Sequence, residues 1–227
     1  MLLTIIIPVY NEKSTVIEVL EKVASISLPL EKEIIVVDDG SNDGTKELIE
    51  SRQKDLARYY SSPVNIGKGA AVRIGLSFAK GDIILLQDAD LETNPEEYLS
   101  LLQPILDKKT SVVYGSRFLK NNNKVPKIRR FANYGLTKTT NILFRSRLTD
   151  METAYKVFTR EVAEKLNLRA NRFDIEPEIT SRICQAGFKI LEVPISYNPR
   201  TVFEGKKIKF RDGLKAIWTL IKCRFNF

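Results

Sequence analysis

Histidine is absent from the 227 residues of this chain. Without it, a chain has neither a Ser-His-Asp nor a Cys-His catalytic group, and it lacks the imidazole ligands of the commonest transition-metal sites. Any metal bound here is therefore expected to be a hard cation held by oxygen ligands.

Cysteine is scarce, and long hydrophobic runs are missing. Cys184 and Cys223 are far apart and have no partners at metal-ligand spacing, which argues against a disulfide scaffold or zinc site and fits a reducing compartment. Residues 1–8 are too short and uncharged for a signal peptide, and no segment approaches the roughly 20 apolar residues of a spanning helix. We expect a cytoplasmic protein, and peripheral contact with the cytoplasmic membrane face stays open.

Acidic residues are absent from one long basic stretch. Residues 117–147 hold nine Lys or Arg and no Asp or Glu, and residues 200–227 hold eight against two acids. The net charge of +8 is therefore concentrated in the second half of the chain. Such a basic region favours nucleic acid, anionic lipid or a phosphorylated substrate as partner.

Alternating strand and helix patterns predict an α/β fold with a mostly parallel, doubly wound sheet flanked by helices, and amphipathic helices in the C-terminal half. The predicted strands are residues 2–10, 33–37, 59–60, 81–91, 112–114 and 190–197. The predicted helices begin at residues 11 and 95 or span residues 46–56, 70–79, 128–147, 173–186 and 210–225. No linker divides the chain, so residues 1–227 are expected to form a single domain.

Polar residues concentrate where the predicted strands end. They are Tyr10, Asn11 and Glu12 after the first strand, Asp38 and Asp39 after the second, Asp88 and Asp90 after the fourth, and Arg117 after the fifth. Each cluster alone is explained by turn chemistry. Four clusters at the carboxyl edge of one parallel sheet instead predict a ligand site.

Asp88 and Asp90 form the centre of this predicted site. Because side chains alternate along a strand, both carboxylates point one way and Ala89 points the other. Two such carboxylates with scattered basic residues suit a nucleoside diphosphate whose oxygens bridge Mg²⁺ or Mn²⁺. The sequence of residues 8–12 is not a dinucleotide fingerprint, and residues 67–69 lack the remainder of a P-loop.

Two helices of the second half carry apolar faces. The expected inner face of the first comprises Ile128, Phe131, Ala132, Leu136, Thr139, Ile142 and Leu143. In the last helix, one face holds Phe210, Leu214, Ile217, Trp218, Ile221 and Phe225. Core packing is the more frequent explanation of such a face, and binding at a membrane interface is the alternative.

An ordered set of short motifs resembles family 2 glycosyltransferases of the GT-A fold, and more narrowly their dolichyl-phosphate mannosyl- and glucosyltransferase branch. The motifs are Pro8-Val9-Tyr10-Asn11-Glu12, Val37-Asp38-Asp39-Gly40-Ser41, Gly67-Lys68-Gly69, Asp88-Ala89-Asp90-Leu91, Gly115-Ser116-Arg117, Lys156-Val157-Phe158, Glu192-Val193-Pro194-Ile195 and Arg200. The segment from Asp150 to Lys156 departs from the family pattern. In many relatives the corresponding segment ends in Gly-Phe-Lys or Gly-Phe-Arg. The motifs around residues 67–73 and 158–161 are closer to the glucosyl branch, which favours a UDP-sugar over GDP-mannose.

The resemblance implies a role for each matching residue. Those implied for the nucleotide sugar are Pro8, Tyr10, Glu12, Val37, Asp39, Asp88, Ala89, Asp90, Arg200 and Lys206. Asp88 and Asp90 would bind the metal, and with Arg117 they form the implied catalytic set. Arg117, Arg129 and Arg130 would bind the acceptor phosphate. Residues 1–117 would thus form a nucleotide-sugar half, and residues 118–227 an acceptor half.

The implied reaction is a metal-dependent, inverting transfer of a hexose to a polyprenyl or dolichyl phosphate. A dianionic phosphate acceptor needs no general base, which agrees with the absence of histidine. A hydroxyl acceptor on a glycan or lipid is the alternative, with Asp150, Asp174 or Glu176 as base. A third hypothesis, outside the enzymes, is a nucleic-acid-binding module, but no nucleic-acid-binding motif supports it.

Overall fold

Seven strands form one sheet in the part of the chain that the computed structural model describes, residues 1–52, 57–120, 125–200 and 210–225. The strands are β1 Leu2–Val9, β2 Glu31–Asp38, β3 Arg58–Ser61, β4 Ile83–Leu86, β5 Val112–Ser116, β6 Lys156–Thr159 and β7 Ile190–Pro194. Their order is β3-β2-β1-β4-β6-β5-β7. Only β6 among these strands runs antiparallel to its neighbours β4 and β5, so the mostly parallel sheet is confirmed.

Helices cover both faces of the sheet. Within the described residues they are α1 Val16–Ser25, α2 Thr45–Arg52, α3 Lys68–Phe78, α4 Tyr98–Leu106, α5 Lys127–Phe144, α6 Arg160–Lys165, α7 Ile175–Gln185 and α8 Phe210–Phe225. In β1, Ile5 and Ile7 pack in the core under α1, α2 and α4, whereas Ile6 packs in the core under α3, α6 and α7. A strand buried on both faces requires the continuous apolar run found here.

β1 ends at Val9, and α1 begins later than predicted. The carbonyl oxygen of Glu12 accepts hydrogen bonds from the backbone N–H groups of Thr15 and Val16, at 3.1 and 2.9 Å. These bonds close a turn, so the polar residues after β1 lie in a loop at the carboxyl edge.

β4 is shorter than the predicted strand at residues 81–91, since it spans only Ile83–Leu86. The side-chain oxygen of Gln87 accepts hydrogen bonds from the hydroxyls of Tyr98 and Tyr155, at 2.7 and 2.8 Å. This buried amide fixes the point where the chain leaves the sheet. The two aspartates that follow therefore lie in the loop after the strand.

The segment that forms β6 and α6 was not predicted as strand or helix. β7 also ends at Pro194, three residues before the predicted end. Beyond it, the backbone N–H of Ser196 donates to the carboxylate of Glu97 at 2.9 Å, which draws the chain away from the sheet. The predicted second helix extends to residue 56, and its residues 53–56 lie outside the described part.

The predicted inner face of α5 is wrong in its first turn and at Ile142, whereas Leu136 and Leu143 pack against the buried Leu148, Met151 and Leu220. Ile128 and Phe131 are both 79% exposed, while the buried residues of the helix are Asn133, Thr137 and Thr140. The hydroxyl of Thr137 accepts a hydrogen bond from the backbone N–H of Met151 at 3.1 Å. This helix therefore packs through polar residues that hydrogen-bond the loop beneath it, as well as through Leu136 and Leu143.

Core packing of the apolar face of α8 is likewise wrong. Trp218 is 60% exposed and Leu214 56% exposed, whereas Ala216, Leu220 and Cys223 are buried. α8 packs against α5 and α7. None of the described helices has the length and apolar composition needed to cross a bilayer.

Two glycines in helices provide a test of packing around α3. A Cβ at Gly69 would lie 2.5 Å from the carbonyl oxygen of Ala170, whereas a Cβ at Gly135 in α5 would meet no atom within 4 Å. Gly69→Ala should lower the free energy of unfolding by about 1–3 kcal/mol through overpacking. Gly135→Ala should raise it by up to about 1 kcal/mol because alanine favours helix. Urea unfolding of both variants measures the difference, and equal effects would contradict the close approach.

Candidate active site

Asp90 lies in the loop after β4 and faces Arg200. The Arg200 guanidinium is 3.1 Å from the Asp90 carboxylate and binds Glu12 through two hydrogen bonds of 2.8 and 3.2 Å. Burial raises the pKa of Asp90 to about 7, and the charges of Asp88 and Glu92 act in the same direction while Arg200 opposes them. An additional cation beside Asp90 would favour its ionised form.

Asp88 is paired with a lysine from the start of α3. Lys68 Nζ lies 2.7 Å from Asp88 and 2.9 Å from Glu176 in α7. Burial alone lowers the pKa of Lys68, but the two carboxylates outweigh it and raise that pKa above its ordinary value. Each aspartate of the predicted pair thus has a basic partner within the protein.

Glu176 binds a second lysine on its other oxygen. This partner, Lys156 of β6, is fully buried and also donates to the carbonyl oxygens of Thr153 at 2.5 Å and Met151 at 3.2 Å. Burial opposes ionisation of Glu176, but Lys156 and Lys68 lower its pKa to about 2. A row of alternating charges therefore connects Asp88 with the loop before β6.

Asp88 and Asp90 offer carboxylate oxygens that fit a hard cation such as Mg²⁺ or Mn²⁺. Among the described residues, no group of three or more acidic or cysteine side chains is arranged to hold a metal ion. A metal at this edge would therefore complete its coordination with oxygens of a bound ligand. Diphosphate oxygens are ligands of this kind.

Two side chains predicted to hold the nucleotide have other partners. Val37 is buried in a small core with Ala71 of α3. The Asp39 carboxylate accepts hydrogen bonds from the Asn65 side chain and from the backbone N–H groups of Ile66 and Gly67, at 2.7–2.9 Å. Burial raises the pKa of Asp39 and these bonds oppose it. Asp39 therefore fixes the loop that begins α3.

The other predicted donor residues remain at the carboxyl edge. Pro8 and Tyr10 are partly buried at the end of β1, and Ala89 is buried, with its carbonyl oxygen 2.7 Å from the hydroxyl of Thr15. Lys206 lies outside the described residues.

Arg117, at the end of β5, forms an ion pair with the buried Asp150. Its guanidinium donates two hydrogen bonds of 2.7 Å to Asp150, and its backbone N–H donates a third of 3.0 Å. The guanidinium carbons of Arg117 and Arg130 each lie 5.8 Å from the ring centroid of Phe118. The structure thus brings Arg117 and Arg130 to one region, and Arg129 is the neighbouring residue on α5.

The three carboxyls considered as general bases are all engaged. Asp150 is fully buried and bound by Arg117, and Glu176 has a pKa of about 2. Asp174 accepts a hydrogen bond from the backbone N–H of Arg172 at 3.1 Å. Glu176 is unsuited to proton abstraction near neutral pH, because a base works best with a pKa near the working pH. Both oxygens of Asp150 are occupied by the Arg117 guanidinium.

Glu152 was missed as a functional candidate. Burial raises its pKa to about 7; Glu176 and Asp150 add to this, while Lys156 and Arg117 oppose it. Its Oε1 atom is buried and has no hydrogen-bond partner among the described residues. The only signal in the sequence was the departure of residues 150–156 from the family pattern. Lys68 and Lys156 stand in motifs that carry the family resemblance, but no role was predicted for them, because their partner Glu176 is distant in sequence.

Residues 4–166 match the sequence profile of glycosyl transferase family 2. The chain is 30% identical to dolichyl-phosphate beta-glucosyltransferase ALG5A of Trichomonas vaginalis, over 97% of this chain and 72% of that protein. It is 27% identical to dolichyl-phosphate beta-glucosyltransferase of Dictyostelium discoideum, over 99% of this chain and 74% of that protein.

The fold is similar to that of solved glycosyltransferases. Glucosyl-3-phosphoglycerate synthase of Mycobacterium tuberculosis in complex with uridine diphosphate has a TM-score of 0.76 and 19% identity, covering 98% of this chain and 80% of that one. The complex of the same enzyme with Mn²⁺, UDP-glucose and phosphoglyceric acid has a TM-score of 0.75 and 20% identity, covering 98% and 79%.

Glu176→Gln tests the buried charge row through pH dependence. The ordinary pKa of 4.5 falls to about 2 in the folded protein, so the ionised carboxylate stabilises the fold above pH 4.5, and this contribution is lost as the pH falls towards 2. The free energy of unfolding of the wild type should exceed that of the variant by about 3 kcal/mol at pH 6 and by about half as much at pH 3.

Urea unfolding at several pH values measures this difference. Glu161→Gln is the matched control, because Glu161 forms an exposed ion pair with Lys165, at 2.9 Å, and its loss should have little effect. A difference for Glu176→Gln that does not vary between pH 3 and pH 6 would contradict the lowered pKa.

Proposed function

Since this chain belongs to glycosyltransferase family 2 and has the GT-A fold, we propose that it transfers glucose from UDP-glucose to a polyprenyl phosphate with the help of Mg²⁺ or Mn²⁺. The observation that carries the proposal is the pair Asp88 and Asp90 at the carboxyl edge, each beside a basic side chain. The similarity to the dolichyl-phosphate beta-glucosyltransferases of Trichomonas vaginalis and Dictyostelium discoideum supports glucose and a dolichyl-phosphate acceptor.

The donor diphosphate would lie against Asp88, Asp90, Lys68 and Arg200. A divalent cation held by the two carboxylates would neutralise the negative charge that develops on the departing diphosphate. Lys68 and Arg200 pair with these carboxylates in the free protein. When the donor binds, the two basic side chains would bind phosphate oxygens in place of the carboxylates. The residues around Glu12 would then hold the nucleoside portion.

The acceptor reaction follows from the charge of the phosphate. Near neutral pH a phosphate monoester is largely dianionic, since its second pKa is about 6. One phosphate oxygen forms a bond to the anomeric carbon as the bond to the nucleoside diphosphate breaks, and the electron pair leaves with the diphosphate. Attack from the opposite face inverts the anomeric configuration. The engaged state of Asp150 and Glu176 agrees with a reaction that takes no proton from a hydroxyl.

Arg129 and Arg130 at the start of α5 are the proposed contacts for the acceptor phosphate, together with Arg117. Because Arg117 already binds Asp150, its main contribution would be to hold the end of β5 and the Phe118 ring. Residues 1–117 would thus serve the donor and residues 118–227 mainly the acceptor.

We define the lipid-facing surface as the exposed apolar residues of α5 and α8, two helices that pack against each other. They are Ile128, Phe131, Tyr134, Ile142, Leu214, Ile217, Trp218 and Phe225. Exposed lysines and arginines surround them, and in the two helices Asp212 is the only acid. An apolar face within a basic surround fits an anionic membrane surface, where a lipid acceptor resides.

The donor assignment is tested by thermal shift. UDP-glucose with Mn²⁺ should raise the Tm of the wild type by several degrees, because a ligand that binds only the native state stabilises it. GDP-mannose should give a smaller shift. Asp90→Asn should lose most of the Mn²⁺-dependent shift and reduce turnover by about a hundredfold or more, whereas Asp107→Asn, at the exposed end of α4, should leave both unchanged. A full metal-dependent shift in Asp90→Asn would contradict the metal assignment.

The lipid-facing surface is tested with a matched pair of leucines. Leu214 is 56% exposed within this surface, and Leu99 on α4 is 48% exposed outside it. Leu214→Ser should weaken cosedimentation with vesicles containing phosphatidylglycerol by about three- to tenfold, since burying a leucine is worth up to about 3 kcal/mol. Leu99→Ser should have no effect. Equal binding of both variants would show that this surface does not contact the membrane.

A further inference from the structure

Three side chains on the acceptor side have buried polar atoms without a hydrogen-bond partner in the described part of the chain. They are Arg129 through Nη1, Asn133 through both amide atoms and Glu152 through Oε1. Buried polar atoms are normally paired, so such a group of atoms calls for an explanation. A bound ligand with acceptor oxygens would provide partners for the donors among them, the guanidinium of Arg129 and the amide N–H₂ of Asn133.

These side chains are brought together by the packing of α5. Arg129, Asn133 and Thr137 are spaced four residues apart and therefore share one helix face. The hydroxyl of Thr137 accepts the backbone N–H of Met151, the residue before Glu152. The face that carries the two unpartnered α5 residues thus lies against the segment that carries Glu152.

Charged groups from several elements surround Glu152. Glu176 of α7 and Asp150 of the same loop disfavour its ionised form, whereas Lys156 of β6 and Arg117 after β5 favour it. Each of these four is itself bound in an ion pair. Burial then decides the balance and raises the pKa of Glu152 to about 7, so both protonation states are accessible near neutral pH.

We propose that Glu152, in its protonated form, donates a hydrogen bond to the phosphate of the acceptor. This inference rests on the proposed function, since it assumes a phosphate acceptor on this side of the sheet. A guanidinium, an amide N–H₂ and a carboxylic acid together supply donors to phosphate oxygens, whereas an ionised Glu152 would repel them.

The proton balance follows directly. When a dianionic phosphate binds, a protonated Glu152 keeps its proton, and an ionised Glu152 takes one up from solvent. After transfer, the phosphate is a diester with one negative charge, so the protonated state is favoured less and Glu152 releases the proton. Acceptor binding would then weaken by up to about tenfold for each pH unit above 7, until the acid in the complex itself ionises.

The experiment measures the KM of the full-length protein for a short, water-soluble isoprenyl monophosphate, with UDP-glucose and Mg²⁺ saturating, from pH 6.5 to 8.5. For the wild type, we expect the acceptor KM to rise about twentyfold over this range, with little change in kcat. Glu152→Gln keeps a donor that does not ionise, so its KM should stay nearly constant. Glu152→Ala has no donor and no charge, so its KM should exceed that of Glu152→Gln at every pH and that of the wild type at pH 6.5. Glu164→Gln, at an exposed position of α6, should behave as the wild type.

The possible results separate this inference from the proposed function. Parallel pH profiles for wild type and Glu152→Gln would overturn the role of Glu152 while leaving the acceptor class intact. Loss of turnover in Glu152→Gln at every pH, in a variant that still unfolds cooperatively, would also overturn it and indicate a general base. If UDP-glucose binds but no variant uses the isoprenyl phosphate, the acceptor class and this inference both fail.

Discussion

The position of one buried carboxylate constrains much of this structure. Glu176 binds Lys68 on one oxygen and Lys156 on the other, and Lys68 also binds Asp88 at the proposed donor site. A buried charge without a partner is costly, and removing one member of such a pair leaves the other uncompensated. The geometry of the proposed donor site and that of the loop carrying Glu152 are therefore fixed together.

The antiparallel strand β6 makes this arrangement possible. Because β6 lies between β4 and β5, the loop before it reaches the carboxyl ends of both strands, next to Asp88 and to Arg117. A fully parallel sheet would place that loop at the opposite edge. The proposed donor and acceptor sites are adjacent because one strand reverses direction.

In the second half of the chain, helix α5 buries polar residues and exposes apolar ones. α5 directs Asn133 and Thr137 inward over the acceptor loop and leaves Ile128 and Phe131 exposed. Apolar surface exposed to water in this way is unfavourable unless it contacts a membrane or another molecule. It becomes understandable if the substrate is a lipid whose phosphate enters beneath the helix while its chain stays in the membrane.

The sequence alone determined the fold class and the edge of the sheet that carries Asp88, Asp90 and Arg117, because buried parallel strands and their polar ends leave local patterns. The ordered motifs determined the family. It did not determine β6, the inward face of α5 or α8, or the partners of Asp39 and Arg117. Periodicity shows which side chains share a helix face but not which way that face turns. The pairing of Glu176 with two distant lysines, and the burial that raises the pKa of Glu152, depend on contacts between segments far apart in sequence, so only the tertiary structure decided them.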